Sequence, residues 1–369
     1  MKKILIVSNE FPPMVGGAGI YLSNLLNSLD FTCVHVTLVV PESSVIANRD
    51  NLEVIFISQF RRLSLFNYYF ALNALNLADY SKIIINDPSS SLIFSFFFRN
   101  VRHKQIVFLH GLEPEQILSS PRILYRILGF KSKYLNYLRD VNKVVFVSRD
   151  LETKFNESSK TLPLANRYCL SPYIESSDFL SSNYVSSLTN KDIVKKLKEN
   201  KVILSVSRIE EKKGYFRLLN AIQPILESNG DTIWVIVGTG SYVDKLKQLV
   251  KEREIDNSVL ILNTIPRQYL SFYYANSDVF VLLSEYRESF GLVYLEALSF
   301  GAKVIGNKFG GVSEILSDDG ELVSLEDTVG TITNKIYSQL QLVNTNERVF
   351  KEVDKYSKEL FIRRLSEVL

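Results

Sequence analysis

At 369 residues the chain is longer than one hydrophobic core usually organises, so two domains of ordinary size are expected. Hydrophobic residues at 46% and charged residues at 22% exclude a disordered chain, and no low-complexity stretch occurs. The net charge of +3 conceals an asymmetry: residues 1–172 carry 19 Lys+Arg against 13 Asp+Glu, and the remainder 24 against 27, so the first half is the basic one.

The opening MKKILIVSNEFPP places two lysines before an apolar run, but Ile4 to Val7 is too short for a signal-peptide core and reads as a first buried strand. Further Val/Ile/Leu/Phe runs follow at 34–40, 53–57, 82–86, 105–109 and 143–147, separated mostly by intervals long enough for helices, such as IYLSNLLNSL at 20–29. Continuous apolar strands alternating with helices imply a parallel sheet covered on both faces. The greasiest later run, Leu92 to Phe98, is far below the ~20 residues of a membrane-spanning helix. Cys33 and Cys169 form neither a C-x-x-C pair nor a metal cluster, so a reducing, cytoplasmic home and two buried small hydrophobes are expected.

Nine Lys or Arg and three acids lie between Arg99 and Lys143, interleaved with Ile123, Leu124, Ile127, Leu128 and Phe130. With Arg122 and Arg126 beside them, the apolar residues suggest a basic amphipathic helix, either packed on its own core or lying on an anionic membrane surface. No nucleic-acid-binding module accompanies the charge, so nucleic acid is not expected as a partner. The Ser- and Asn-rich stretch 171–190 reads as a linker, and strands resume at 202–206, 232–237, 259–262, 278–283 and 302–305. The fold class is therefore α/β, with two doubly wound, Rossmann-like domains and a ligand cleft between them.

Ligands of such sheets bind at the carboxyl ends of the strands, so the loops there are the candidates. After the first strand, Gly16 and Gly17 precede a helix and could let backbone N–H groups approach an anion; a tight turn is the alternative. After the strand at 105–109 comes His110, one of only three histidines. After 202–206 come Arg208 and Lys213, two cations near a helix N-terminus that could hold a diphosphate. Gly238-Thr239-Gly240 lacks the third glycine and the early βαβ setting of a dinucleotide fingerprint. After 278–283, Glu288 lies in a loop, Phe290-Gly291 forms the turn, and Leu292 opens a helix that carries Glu296. An unpaired carboxylate inside so apolar a segment would be costly, so both glutamates are expected to meet water or hydroxyl groups of one extended ligand.

Taken together, FPPMVGG, HG, SRIEEKKG, GTGSYVDKL and the stretch from Tyr273 to Ile315, with Glu288, Glu296 and the later Gly310, Gly311 and Glu314, resemble the retaining glycosyltransferases of family 4, glycosyltransferase group 1, which have the two-domain GT-B fold. The resemblance spans nearly the whole chain and is strongest from Val202 to Leu316. It implies a UDP- or GDP-sugar as substrate, no cofactor and no metal; no Asp-x-Asp occurs. It also implies roles: Glu296 on the ribose hydroxyls, Glu288 on sugar hydroxyls, and Arg208 and Lys213 on the diphosphate. The backbone amides of Phe290, Gly291 and Leu292, with Gly16 and Gly17, would cradle phosphate, and His110 would lie beside the anomeric carbon. Ser207, Ser289, Leu283 and Asn263 stand where the family commonly has Gly, Gly, Pro and Gly, and Pro172 to Glu175 replaces its Asn-Gly-Val-Asp.

The domain division expected on this basis is 1–172 on the acceptor side, 173–349 binding the donor, and a closing helix at 350–369 packed back on the first domain. The acceptor would be a glycan or lipid-linked, in bacterial surface polysaccharide synthesis, with the enzyme peripheral at the inner face of the cell membrane. A nucleotide-sugar epimerase of related fold and a non-catalytic nucleotide-sugar binding protein remain as alternatives.

Overall fold

In the computed structural model the chain divides into two compact units, Met1–Tyr173 with Lys358–Leu369, and Ile174–Ser357. The structure describes residues 1–13, 16–59, 64–111, 113, 117–118, 129–160, 164–316, 322–342 and 353–369. The proposed amphipathic helix around Arg122, Ile123, Leu124, Arg126, Ile127 and Leu128 lies outside the described residues.

The first unit contains β1 (Lys2–Val7), β2 (Val34–Pro41), β3 (Leu52–Ile57), β4 (Lys82–Ile85), β5 (Gln105–Leu109), β6 (Lys143–Phe146) and β7 (Arg167–Cys169). They form one sheet in the order β3-β2-β1-β4-β5-β6-β7, with every pairing parallel. Ile4 to Val7 are buried, as are Ile83 to Ile85 and Ile106 to Leu109, because helices cover both faces of a parallel sheet. The helix Pro88–Phe97 starts where Pro88 presets the first turn and the Asp87 carboxylate accepts from the Ser89 and Ser90 N–H groups. The helix Lys358–Val368 belongs to this unit: it buries Phe361, Leu365 and Val368, and the Phe361 ring lies 4.9 Å from Tyr173 and 5.8 Å from Tyr21.

The second unit contains β8 (Lys201–Val206), β9 (Thr232–Val237), β10 (Val259–Leu262), β11 (Val279–Val281), β12 (Lys303–Asn307) and β13 (Leu322–Val323). Their order is β10-β9-β8-β11-β12-β13, again parallel throughout. The helix Tyr215–Ser228 buries Tyr215, Leu218, Leu219 and Ile222, the face that the sequence spacing predicts.

Each sheet reverses its strand order at one point, between β1 and β4 in the first and between β8 and β11 in the second. Loops leaving the carboxyl ends of those strands diverge and leave a crevice, which is where open α/β sheets bind ligands.

Three expectations need correction. Residues 182–188 of the presumed linker form a helix, whose Ser181 side chain accepts from the Tyr184 N–H; Phe179 and Val185 on either side are buried in the second unit's core. Ser181 and Asn190 there act as helix caps. Tyr173, placed at the start of the second domain by sequence, packs in the first unit, where its hydroxyl donates to Asn24 O at 3.0 Å. Cys33 is exposed, its thiol donating to Asp30 Oδ2 at 3.3 Å, and Cys169 is half-buried at the end of the edge strand β7.

Candidate active site

In the second unit the loop after β8 carries Arg208 and Lys213, and the loop after β11 carries Glu288. Gly214 is in the left-handed region at φ +78°, and a Cβ there would fall 2.0 Å from Leu283 O, so glycine lets the two loops touch. The Glu285 N–H donates to Lys212 O at 2.8 Å, which ties them together. Lys213 Nζ then reaches Glu288 Oε1 at 2.6 Å, and Lys212 and Lys213 both lie over the Tyr286 ring, at 5.7 and 5.8 Å. The Lys213 side chain is only 12% exposed. Arg208 is not part of this pair: it is 69% exposed and binds Glu210 Oε1 at 3.1 Å.

The loop after β12 supports Glu288 from the other side. Gly311 N–H donates to Glu288 O at 2.8 Å, and a Cβ on Gly311 would lie 2.4 Å from Ser289 O. The paired glycines therefore let one backbone lie directly on another, a physical reason for the Gly-Gly that follows the glutamates in sequence. Phe290 is buried with its ring 5.2 Å from Tyr356, and Gly291 at φ +95° caps the helix Leu292–Ser299 without a side-chain acceptor. Gly291 thus offers the first-turn N–H groups at Leu292 no side-chain cap, the local condition for receiving an anion.

Glu296 resolves its burial differently from the expectation. It is 3% exposed, yet Arg267 Nε donates to its Oε1 at 2.6 Å and the Tyr274 hydroxyl donates to Oε2 at 2.9 Å. Arg267 also binds Asp178 Oδ2 at 3.0 Å and lies 4.6 Å over the Phe179 ring. Burial alone would lower the Arg267 pKa, but Glu296 and Asp178 outweigh it and the guanidinium is held more firmly charged than usual. Each carboxylate oxygen has a second acceptor direction besides the one its partner uses.

In the first unit the corresponding residues follow β1, β4 and β5. His110 Nε2 lies 3.1 Å from Asn86 Oδ1, and the ring packs edge-on against Tyr21 at 5.1 Å. Burial lowers the imidazole pKa to about 3, against a small opposing effect of Asn86. Glu113 is fully buried and accepts from the His110 N–H at 3.2 Å and the Gly111 N–H at 2.8 Å. Burial raises its pKa, opposed by these backbone bonds, and nearby Asp87 raises it further. Asp87 likewise is raised by burial while accepting from the Asn9 N–H at 2.7 Å and the Ser90 hydroxyl at 2.6 Å.

Gly16 and Gly17 sit at the N-terminus of the helix Gly17–Asn27. The Glu10 carboxylate already lies there: its Oε1 accepts from the Gly19 N–H at 3.2 Å and would meet a Gly16 Cβ at 1.7 Å, whereas Gly17 faces open space. An anion held at Gly16 would displace that carboxylate.

The structure thus joins Lys213 to Glu288, keeps Arg208 on the surface nearby in sequence, and gives Glu296 a buried cation. Sequence reasoning missed Arg267, Tyr274 and Asp178, which no local pattern connects to Glu296. It also missed Glu113 and Asn86; an acid three residues after a post-strand histidine was the available signal for the first.

The model for glycosyl transferases group 1 matches residues 187–352. An uncharacterized glycosyltransferase of Haemophilus influenzae is 34% identical over 183 residues, 49% of this chain and 45% of the relative. A GDP-mannose-dependent alpha-(1-6)-phosphatidylinositol monomannoside mannosyltransferase of Mycolicibacterium smegmatis is 28% identical over 185 residues, 48% and 47% of the two chains. The chain therefore spans about half the length of these curated relatives. Among solved structures, HepE of Anabaena in complex with UDP and glucose superposes with a TM-score of 0.76 at 17% identity, covering 100% of this chain and 99% of that one, which shows a common fold. The match to the glycosyl transferases group 1 model, residues 187–352, thus falls within the second unit of a fold of two Rossmann-like units.

Proposed function

We propose that the chain is a retaining, metal-independent glycosyltransferase, moving a hexosyl or N-acetylhexosaminyl group from a UDP- or GDP-sugar to a glycan or lipid-linked acceptor. The observation that carries this reading is the Lys213–Glu288 pair at 2.6 Å, set at the second sheet's point of strand reversal beside the uncapped helix at Leu292. Transfer from a nucleoside diphosphate sugar generates a leaving diphosphate and an oxocarbenium-like centre, so catalysis rests on stabilising negative charge as it develops. Lys213, Arg208 and the N–H groups at Phe290, Gly291 and Leu292 supply that stabilisation. Glu288, held by Lys213, accepts from sugar hydroxyls. Glu296, held by Arg267 and Tyr274, accepts from the ribose hydroxyls.

In a retaining transfer the acceptor attacks from the face the diphosphate leaves. The departing diphosphate takes the acceptor's proton, and no dedicated carboxylate base is needed. On this reading the second unit binds the donor and the first carries the acceptor site.

A lipid-linked acceptor at an anionic membrane surface fits the first unit. Phe66, Phe70 and Phe97 are exposed, the Tyr69 ring bridges Phe97 and Phe70 at 4.7 and 5.5 Å, and Lys133 lies 5.8 Å over Phe96. Aromatic rings beside lysines suit a bilayer interface. The Mycolicibacterium relative is named for a phosphatidylinositol-linked acceptor, which supports the same class. On this reading the enzyme works at the inner face of the cell membrane, in the assembly of a surface polysaccharide.

The experiment is a thermal-shift panel of UDP-, GDP- and ADP-sugars, followed by detection of the sugar on a second molecule. Binding only to the folded state raises the melting temperature by mass action. Stabilisation by a sugar nucleotide with transfer supports the reading; stabilisation with isomerised donor and no transfer points to an epimerase instead.

A further inference from the structure

Asn86 follows β4 directly, is fully buried, and has both polar atoms of its side chain engaged. Its Nδ2 donates to Ala18 O at 3.0 Å and to Ser8 Oγ at 3.2 Å. A backbone carbonyl can only accept, so the amide nitrogen must be the atom facing Ala18. The single hydroxyl hydrogen of Ser8 is directed to Glu10 O at 2.7 Å, so Ser8 Oγ is an acceptor toward Asn86 as well. Both amide hydrogens are therefore used. The remaining atom, Oδ1, can only accept, and it lies 3.1 Å from His110 Nε2. Two lone pairs facing each other at that distance would repel, so Nε2 carries a hydrogen.

A doubly protonated ring would satisfy the same contact, but burial keeps the imidazole neutral at physiological pH. Among the described residues, the other groups around the ring do not compete for it. Both Glu113 oxygens accept from backbone N–H groups, Asp87 is taken up by Asn9, Ser89 and Ser90, and Tyr21 stands T-shaped to the ring while its hydroxyl donates to Leu170 O at 2.9 Å.

We infer that Asn86 fixes His110 as the Nε2–H tautomer, leaving Nδ1 as a neutral acceptor suited to a substrate hydroxyl and not to a phosphate oxygen. Asn86 is thus a positioning residue for His110. The tautomer stands on the first unit's own contacts; only the hydroxyl rests on the glycosyl-transfer reading. The same inference assigns His110 no part in neutralising the diphosphate, because a ring whose free nitrogen is a lone pair repels anionic oxygen.

The test is a nitrogen–proton correlation spectrum of the full chain labelled at histidine. The chain has three histidines, so the His110 signals are those lost in His110→Gln. The expected spectrum, near pH 7 and unchanged to about pH 5, shows a protonated-type Nε2 and an unprotonated-type Nδ1. A hydrogen on Nδ1, or two averaged signals, overturns the inference. Asn86→Asp keeps the acceptor and should keep the Nε2–H tautomer while moving the His110 titration to higher pH. Asn86→Leu removes the acceptor and should give averaged signals; a pure Nε2–H ring in that variant would remove Asn86 from the role. Should Asn86→Leu fail to fold, the wild-type and Asp spectra still decide. The hydroxyl is tested by adding UDP-glucose, GDP-mannose or inorganic diphosphate: Nδ1 should respond to a sugar nucleotide that binds, and not to diphosphate alone. An equal response to both, or none to a donor shown to bind, overturns the hydroxyl and leaves the tautomer standing.

Discussion

The two units build their strand-reversal sites from opposite chemistry. In the second, charges meet charges: Lys213 with Glu288, Arg267 with Glu296 and Asp178, Arg208 with Glu210. In the first, His110 is neutral, Asn86 is satisfied by carbonyl and hydroxyl groups, and the carboxylates Asp87 and Glu113 are spent on backbone N–H groups. One architecture therefore holds two kinds of side-chain chemistry. On the proposed reading, cations paired with carboxylates suit a diphosphate, and neutral donors and acceptors suit hydroxyl groups.

The largest expected effect comes from removing the half-buried lysine of the charged site. Lys213→Ala should lower turnover by about 10²–10³-fold, the usual cost of losing one stabilising group for developing charge. Initial transfer rates with saturating donor measure this, and near-wild-type turnover would show that the diphosphate is held elsewhere. Glu288 loses its partner in the same variant, so its melting temperature is compared with that of Lys213→Ala with Glu288→Gln, in which no unpaired carboxylate remains.

Glu296→Gln comes next. It retains an acceptor for Arg267 but removes the charge, and donor affinity should fall by about 1.5–3 kcal/mol, roughly 10- to 100-fold. A drop in stability should accompany it, since Arg267 is left partly uncompensated in a buried place. Calorimetric titration separates the two, and an unaltered affinity in the folded variant would leave Glu296 with a purely structural role.

Arg208→Ala sharpens the contrast inside the charged site. The side chain is exposed, so stability should change by no more than about 0.5 kcal/mol. Turnover should fall by about tenfold, as for one charged hydrogen bond, and kcat more than KM, because the arginine acts as charge develops. A change confined to KM would make it a binding residue only.

The neutral site is tested by pH. His110 has a folded pKa of about 3, below the unfolded value near 6.5, so its contribution is fully present above the unfolded pKa and is lost as pH falls toward the folded one. Asp87 and Glu113, both raised by burial, act in the opposite sense, and their penalty is relieved on acidification. Wild-type melting temperature should therefore fall more than that of His110→Gln between about pH 7 and 4.5. Parallel profiles would mean that the imidazole is not buried neutral.

The smallest effect concerns the membrane face. Phe70→Ser with Phe97→Ser should weaken co-sedimentation with anionic liposomes by a few-fold and leave binding salt-sensitive. Unchanged binding would move the contact away from these rings.

Most of the fold was legible because both-face burial writes parallel strands as unbroken apolar runs, as in ILIV at 4–7 and TIWVIV at 232–237. The short edge strands β7 and β13 were not, since three and two residues are too few to write such a run. The helix Ser182–Leu188 was hidden by residues that cap it. Of the site, the loop positions of His110, Arg208, Lys213 and Glu288 could be read from strand ends alone. Their partners could not: Lys213 meets Glu288 because Gly214 lets two loops touch, and Glu296 meets Arg267 across 29 residues. Glycine spacing advertises the first kind of contact, whereas nothing in the chain near Arg267 advertises the second.

The most direct measurement of the central claim is calorimetric titration of UDP and GDP into the full chain and into Lys213→Ala. The account predicts that at least one nucleoside diphosphate binds the wild type and binds Lys213→Ala at least tenfold more weakly, a difference of about 1.4 kcal/mol. Equal affinity for both proteins, with the variant folded, would contradict the placement of the diphosphate at the Lys213–Glu288 pair.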